Sequence, residues 1–279
     1  MIRIPRQPLP DSLQDDLNQR QAAVDDGTAG DSPWEDFKAH ERKQAHRGQS
    51  TVKAILQKMF HGKCAYCESK GARDIEHHWP KSPHAQNAHR GSPALMFRWH
   101  NLLWACNICN GFECKASRME WNAQGDPKLL NPCTLEHDPF CHIEITINMD
   151  GPKFALGWME PRGNLKLAPY SRAEYTIRRL KLNQRHGVRQ GRAKTIRDFM
   201  GWLKVLRELG PEYEAPEGYT VRQRFIEFLD PTEPYLAPIR QILYTEPDLH
   251  KELIEMLPEL TTVLAAWALP ANDCTDFEE

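Results

Sequence analysis

The chain has 279 residues, 40% of them hydrophobic, and a formal net charge of −2. This length is enough to bury the core of one large domain or of two to three small ones. The near-neutral balance excludes a protein that is basic throughout, as a general nucleic-acid binder would be.

The amino terminus and the hydropathy pattern bear on localisation. Residues 1–8 contain no apolar core of signal-peptide length. No run approaches the roughly 18 apolar residues that a membrane span requires. We therefore expect a cytoplasmic chain without a membrane partner. In that reducing compartment, eight cysteines indicate metal binding rather than disulfides.

Residues 1–62 are predicted to form an N-terminal helical segment. A first helix fits Asp11 to Ala23. Ser32 and Pro33 mark the start of a second helix, because serine is a good N-cap and proline suits the first helical position. A third helix over residues 50–60 leads directly to the first pair of cysteines.

Two Cys-x-x-Cys pairs bound the central stretch of the chain. Cys64 and Cys67 form the first pair, and Cys106 and Cys109 form the second, with 38 residues between them. Two such pairs complete the tetrahedral shell of one zinc ion, so we expect a structural Zn²⁺ with no open coordination position. Cys114 is near enough to be an alternative ligand. The four cysteines outside the pairs are expected to be reduced.

The segment between the pairs is predicted to contain two strands, followed by a helix. The strands fit residues 74–77 and 95–104, and the helix fits residues 107–119. This ββα unit, within residues 63–125, is too small to bury an adequate core by itself. A bound zinc ion would supply the missing stability.

Polar residues in this unit have the chemistry that phosphodiester hydrolysis requires. His77 can accept a proton from water, because imidazole titrates near physiological pH. Glu76 and Asn110 offer hard oxygen ligands for a catalytic Mg²⁺ or Mn²⁺. His78 is an alternative to His77, because adjacent strand residues face opposite sides.

This combination of motifs resembles the HNH endonucleases, also called ββα-metal nucleases, over residues 64–119. The resemblance implies that Glu76 and Asn110 bind the catalytic metal and that His77 is the general base. It also implies that Asn101 holds the backbone of the loop that orients His77. Glu76 stands where many of these enzymes have aspartate.

Several short sequence motifs are similar to those of the HNH subunit of the Septu anti-phage systems (PtuB), which also accompanies certain retrons. This resemblance implies an ABC/SMC-like ATPase subunit (PtuA-like) as partner and, in a retron, a reverse transcriptase with its DNA or RNA. These motifs are Ile75-Glu76-His77 followed by Pro80-Lys81, Trp99-His100-Asn101-Leu102-Leu103, Leu130-Asn131-Pro132-Cys133, Tyr175-Thr176-Ile177 and Leu180-Lys181-Leu182-Asn183.

Residues 126–170 are predicted to be a β-hairpin connector. His142 to Asn148 alternates apolar and polar residues, as a half-buried strand does. Asp150-Gly151 is a hairpin turn signal, and Phe154 to Trp158 is the expected partner strand. A third short strand fits Leu165 to Leu167.

Residues 171–279 are predicted to form a helical domain with uneven charge. From Arg172 to Arg207, 11 Lys or Arg residues oppose 2 acidic ones, whereas from Glu208 onward 4 oppose 16. The basic part fits a solvated amphipathic helix or a surface for nucleic acid or a partner. The acidic part is a candidate docking surface.

These observations predict an α+β fold: a mostly helical chain around a small zinc-stapled ββα-metal HNH nuclease unit, with a short β-hairpin. The leading hypothesis is a metal-dependent HNH endonuclease of an anti-phage system that cleaves DNA or RNA. The alternatives are a stand-alone restriction or homing-type HNH nuclease and a non-catalytic zinc-stapled nucleic-acid-binding module. Lys81, Lys115 and Arg118 are candidate substrate-binding residues.

Overall fold

The structure is a computed structural model that describes residues 1–81, 92–116, 119–122, 124–150, 156–163, 171–209 and 216–265. Over these residues the chain is mostly helical, and it contains two antiparallel sheets of two strands each. The prediction of a mostly helical chain with small sheets is therefore confirmed. The predicted domain boundaries stay predictions.

The N-terminal part forms three helices close to their predicted positions. They are α1 (Asp11–Asp25), α2 (Pro33–His46) and α3 (Val52–Met59). The N-cap of α3 is Thr51, whose hydroxyl accepts a hydrogen bond from Ala54 N at 3.1 Å. Fully buried side chains of these helices join the core around the central sheet, namely Leu17, Phe37, Val52 and Leu56.

The buried carboxylate of Glu41 joins α2 to α3. It accepts hydrogen bonds from Val52 N at 3.2 Å and from Lys53 N at 2.8 Å. Both amides belong to the first turn of α3, where a helix leaves its donors without internal partners. Burial raises the pKa of Glu41, although the two amides oppose that rise. This contact fixes the position of α2 relative to α3.

The central sheet pairs β1 (Asp74–His77) with β2 (Leu102–Ala105) in antiparallel register. Glu76 lies opposite Leu103, and all four residues of β2 are buried. Ala65 N donates a hydrogen bond to Trp104 O at 2.8 Å. The sheet is therefore bonded directly to the turn that carries the first cysteine pair.

The helix predicted over residues 107–119 is interrupted. A single turn, α4 (Asn107–Asn110), is followed by a π-helix over Phe112–Ala116. Between them Gly111 is extended, with φ of −80° and ψ of 171°. A Cβ at this position would lie 2.5 Å from Asn107 O, so the close backbone approach requires glycine.

The hairpin is present, but its second strand lies further along the chain than predicted. β3 (Ile143–Ile145) pairs with β4 (Met159–Pro161), and of the predicted partner strand the described Gly157 and Trp158 exchange hydrogen bonds with Thr146. Gly157 has a φ of +75°, a left-handed conformation that interrupts the regular ladder, so the regular strand begins after it. The expected turn at Gly151 and the third strand at 165–167 lie outside the described residues.

The C-terminal part is helical, as predicted, and most of it packs around a second hydrophobic core. Phe199, Phe225 and Leu253 are fully buried in that core. The short helix that precedes β3 is α5 (Pro139–His142). The later helices are α6 (Arg172–Arg179), α7 (His186–Leu209), α8 (Pro216–Phe228), α9 (Ala237–Thr245), α10 (Pro247–Met256) and α11 (Leu260–Ala265).

Several cations of the basic segment are used inside the molecule. Arg192 is buried and donates to Gly157 O at 2.7 Å. Arg207 forms an ion pair with Glu252 at 2.7 Å and so links α7 to α10. Lys194 pairs with Asp198 along α7. These contacts favour a structural role for the segment over a surface that binds polyanions.

Two further findings concern membrane-spanning helices and the oxidation state of the cysteines. Within the described residues, no helix combines the length and apolar character that a bilayer crossing requires. Cys114 and Cys133 are free thiols, as expected. Cys141 is disulfide-bonded, so the prediction of a reduced thiol is wrong there.

The Glu41 contact generates a paired prediction. Replacing Glu41 with alanine leaves two buried amides of α3 without acceptors, which should cost about 1–3 kcal/mol of unfolding free energy. Glu41→Gln keeps one of the two acceptor oxygens, so one of the two amides retains its hydrogen bond and the loss should be smaller. Because burial raises the pKa of Glu41, its ionisation lowers stability as the pH rises through that pKa, and glutamine should remove this dependence. Urea unfolding of both variants across pH tests this, and equal losses would contradict it.

Candidate functional site

Four cysteine thiols meet at one buried point. The Sγ atoms of Cys64, Cys67, Cys106 and Cys109 all lie within 4.8 Å of one another. The first pair follows α3, and the second pair stands between β2 and the end of α4. Hydrogen bonds from the neighbouring thiols lower the pKa of Cys106. Four buried sulfurs at this spacing could hold a zinc ion in a tetrahedral shell.

Arg185, between α6 and α7, faces this cluster. Its guanidinium donates to Cys109 Sγ at 3.0 Å and approaches Cys67 Sγ at 3.6 Å. Four thiolates around Zn²⁺ carry a net charge of about −2, which a guanidinium partly offsets. The sequence analysis missed Arg185, because 76 residues separate it from Cys109. Cys114, the alternative ligand, is outside the cluster.

A cleft of about 710 Å³ lies between α2, the start of α3 and β1. Glu76, His77 and Asn110 line this cleft together with Lys81. Glu76 and His77 come from the end of β1, and Asn110 comes from the end of α4. The fold therefore brings together the three residues that the sequence analysis assigned to catalytic metal binding and proton transfer.

His77 is held by one hydrogen bond and one ring contact. Its Nε2 lies 3.0 Å from Met96 O, so Nε2 carries the proton and Nδ1 keeps its lone pair. The Trp34 ring crosses the imidazole at 69°, with centroids 4.2 Å apart. Burial, together with the charges of Lys81 and Lys115, lowers the pKa of His77 to about 3. The imidazole is therefore neutral at physiological pH.

Asn101 fixes the turn that follows His77. Its Oδ1 accepts a hydrogen bond from Trp79 N at 2.6 Å, and its Nδ2 donates to Trp79 O at 3.1 Å and Leu95 O at 2.9 Å. Its backbone oxygen accepts from His78 N at 2.8 Å. Asn101 itself does not line the cleft, so its contacts fit a positioning role.

His78, the alternative to His77, does not line the cleft that contains Glu76 and Asn110. It is buried, and it lines a second cavity of about 230 Å³ with Trp79, Asn101 and Arg172. Burial holds the pKa of His78 well below its usual value. The arrangement therefore favours His77 as the residue that faces the cleft.

Lys115 is buried in the site and does not lie on a solvated helix face. Its ammonium forms an ion pair with Glu76 Oε1 and also donates to His77 O. Burial raises the pKa of Glu76, and the positive charge of Lys115 opposes that rise. No pattern in the sequence predicts this pair. Arg118, the third candidate for substrate binding, lies outside the described residues.

The comparisons with known proteins give one match. The chain is 30% identical to the Septu protein PtuB of Bacillus mycoides (strain KBAB4) over 247 residues, which covers 77% of this chain and 80% of that protein. No family model matches the chain, and no solved structure matches it.

The cysteine cluster leads to a prediction about metal content. Cys106→Ser should lower the zinc content of the purified protein and its melting temperature, because a structural zinc site contributes directly to folding. Cys133→Ser, at a free cysteine outside the cluster, is the control and should retain the metal. Elemental analysis and thermal unfolding measure both quantities. A stable Cys106→Ser protein without zinc would contradict the structural role.

Proposed function

The chain belongs to the PtuB family of Septu proteins, and on that premise we propose that it is the nuclease of an anti-phage defence system. In this proposal it is a metal-dependent HNH endonuclease that hydrolyses phosphodiester bonds in nucleic acid. The observation that carries the proposal is the convergence of Glu76, His77 and Asn110 on one cleft.

The donors in the cleft fit a small divalent cation. A glutamate carboxylate and an asparagine amide are the hard oxygen ligands that Mg²⁺ and Mn²⁺ prefer. The Lys115 ammonium already places a positive charge against Glu76. When bound, the cation would neutralise charge on the scissile phosphate and on the leaving oxygen. Glu76 and Asn110 would hold it.

His77 has the features of a general base for water. The hydrogen bond to Met96 leaves the Nδ1 lone pair to accept a proton. The ring is neutral at physiological pH, which is the form that can accept a proton, although a pKa of about 3 makes it a weaker base than an ordinary imidazole. Trp34 and the Met96 carbonyl restrict rotation of the imidazole, so the direction of Nδ1 is set before substrate binds.

Asn101 acts as a positioning residue in this mechanism. Its side chain binds both the amide and the carbonyl of Trp79, and this fixes the backbone two residues after His77. Loss of those contacts would release the turn without removing any group from the cleft. The family also implies an ABC/SMC-like ATPase partner, and we include that partner in the proposal. A retron reverse transcriptase stays a prediction.

The role of His77 is tested by substitution. His77→Ala should lower the cleavage rate about 10²–10⁴-fold, the usual contribution of a general base. The assay uses the full chain, alone and with the ATPase of its own system, with Mg²⁺ or Mn²⁺ and labelled DNA and RNA.

The exposed His100 and the buried His78 provide the controls for that experiment. His100→Ala should cleave at the normal rate. His78→Ala distinguishes the two neighbouring histidines: loss of activity there, with a folded and active His77→Ala protein, would overturn the assignment of the base.

The Lys115–Glu76 pair gives a prediction that does not depend on activity. Lys115→Met leaves a buried carboxylate unpaired, which should destabilise the protein by about 3–5 kcal/mol without divalent cations. Mn²⁺ should restore more stability to this variant than to the wild type, because the ammonium no longer repels it. Thermal unfolding with and without Mn²⁺ measures the difference. Glu76→Gln should abolish the Mn²⁺ effect, and equal shifts in all proteins would contradict the cation site.

A further inference from the structure

Basic side chains line the cleft away from His77. Arg42 comes from α2, Arg73 immediately precedes β1, and Lys53 comes from the first turn of α3. All three are exposed. Among the described residues, neither arginine forms an ion pair with a carboxylate. We refer to Arg42, Lys53 and Arg73 as the basic rim.

The acidic residues nearby do not cancel the basic rim. The Glu41 carboxylate is buried and bound by the first amides of α3. Glu76 is paired with Lys115. Asp74 is exposed in the cleft and is the remaining acidic lining residue. The outer end of the cleft therefore presents more positive than negative charge.

The distance from His77 to the basic rim follows from the length of helix along one wall of the cleft and the length of strand along the other. α2 contacts His77 through Trp34, and the eight residues from there to Arg42 span about 12 Å of helix. β1 ends at His77, and the four residues back to Arg73 span about 13 Å of strand. Both arginines therefore lie a similar distance from the imidazole, one on each wall.

We propose that the basic rim binds the phosphates of the substrate strand to one side of the bond that is cut. A distance of about 12–13 Å corresponds to at most about four nucleotides, because the rise of about 3.4 Å per nucleotide is measured along the axis and phosphates of one strand lie further apart than that. The inference rests on the proposed function and extends it. The basic rim, on α2, on α3 and before β1, binds the nucleic-acid backbone beside the bond that is cut at His77.

A phosphate contact makes a defined contribution to the salt dependence of binding. Each contact changes the slope of log K against log salt concentration by about 0.9 for duplex DNA and about 0.7 for a single strand. Such contacts carry no base specificity. Losing one should therefore weaken binding equally for all base sequences.

The experiment measures binding of fluorescent oligonucleotides to the full chain that carries His77→Ala, so that the probe is not cut. The probes are single-stranded DNA, single-stranded RNA and duplex DNA. Arg42→Gln and Arg73→Gln should each weaken binding and flatten the salt slope by about one contact, and the double variant by about two.

Lys43→Gln and Lys58→Gln are the matched controls. They remove the same charge from exposed positions on α2 and α3 that do not line the cleft, and they should leave the slope unchanged. Thermal unfolding checks that every variant is folded.

The outcomes separate the rim from the proposed function. Arginine variants that behave like the lysine controls overturn the basic rim, while loss of cleavage by His77→Ala would still support the nuclease. Wild-type protein that neither binds nor cuts any probe, with or without its ATPase, overturns both. Weakened binding that depends on base sequence also contradicts a backbone contact.

Discussion

The close approach of four buried thiols is the constraint on which the rest of the molecule depends. Cys64 and Cys67 precede β1, whereas Cys106 and Cys109 follow β2, so a metal bound here closes the chain around the sheet. The sheet has only four residues in each strand, and a two-stranded ribbon of that size has little stability in water. The cluster fixes the end of the ribbon at which Asp74 pairs with Ala105, and Glu76 and His77 follow along the same strand, 3% and 6% exposed.

Separate groups of residues support the metal cluster and the cleft. The thiols hold the end of the ribbon where β1 begins and β2 ends, while Asn101 fixes the opposite end, beyond His77, through both polar groups of the Trp79 backbone. The N-terminal helices supply the opposite wall, and Trp34 on α2 contacts the imidazole directly. The cleft is therefore built from segments that are far apart in sequence, and its shape depends on contacts between α2, α3 and β1.

The sequence allowed local features and short-range spacing to be predicted, but not the long-range partners. The spacing of the cysteines and the apolar patterns located the cluster and most helices, because both signals are contained in short segments. The partner strand was misplaced because the left-handed Gly157 is not visible in an alternation pattern. Lys115 was predicted to bind substrate, and its ion pair with Glu76 was not foreseen because it depends on the tertiary fold. Arg42 and Arg73 had no distinguishing motif at all.

Arg185 adds a direct contact between the cysteine cluster and the C-terminal helices, beside contacts such as the hydrogen bond from Ala237 N to Glu68. It stands immediately before the 24-residue helix α7 and donates to the cysteine sulfurs. Thermodynamic reciprocity then applies: if the metal favours one position of α7, that position of α7 favours the metal by the same free energy. A protein that shifted α7 on binding would change how firmly the cluster holds a metal ion, and loss of that ion would remove one restraint on α7. The metal affinity of the cysteine cluster would therefore depend on the position of α7.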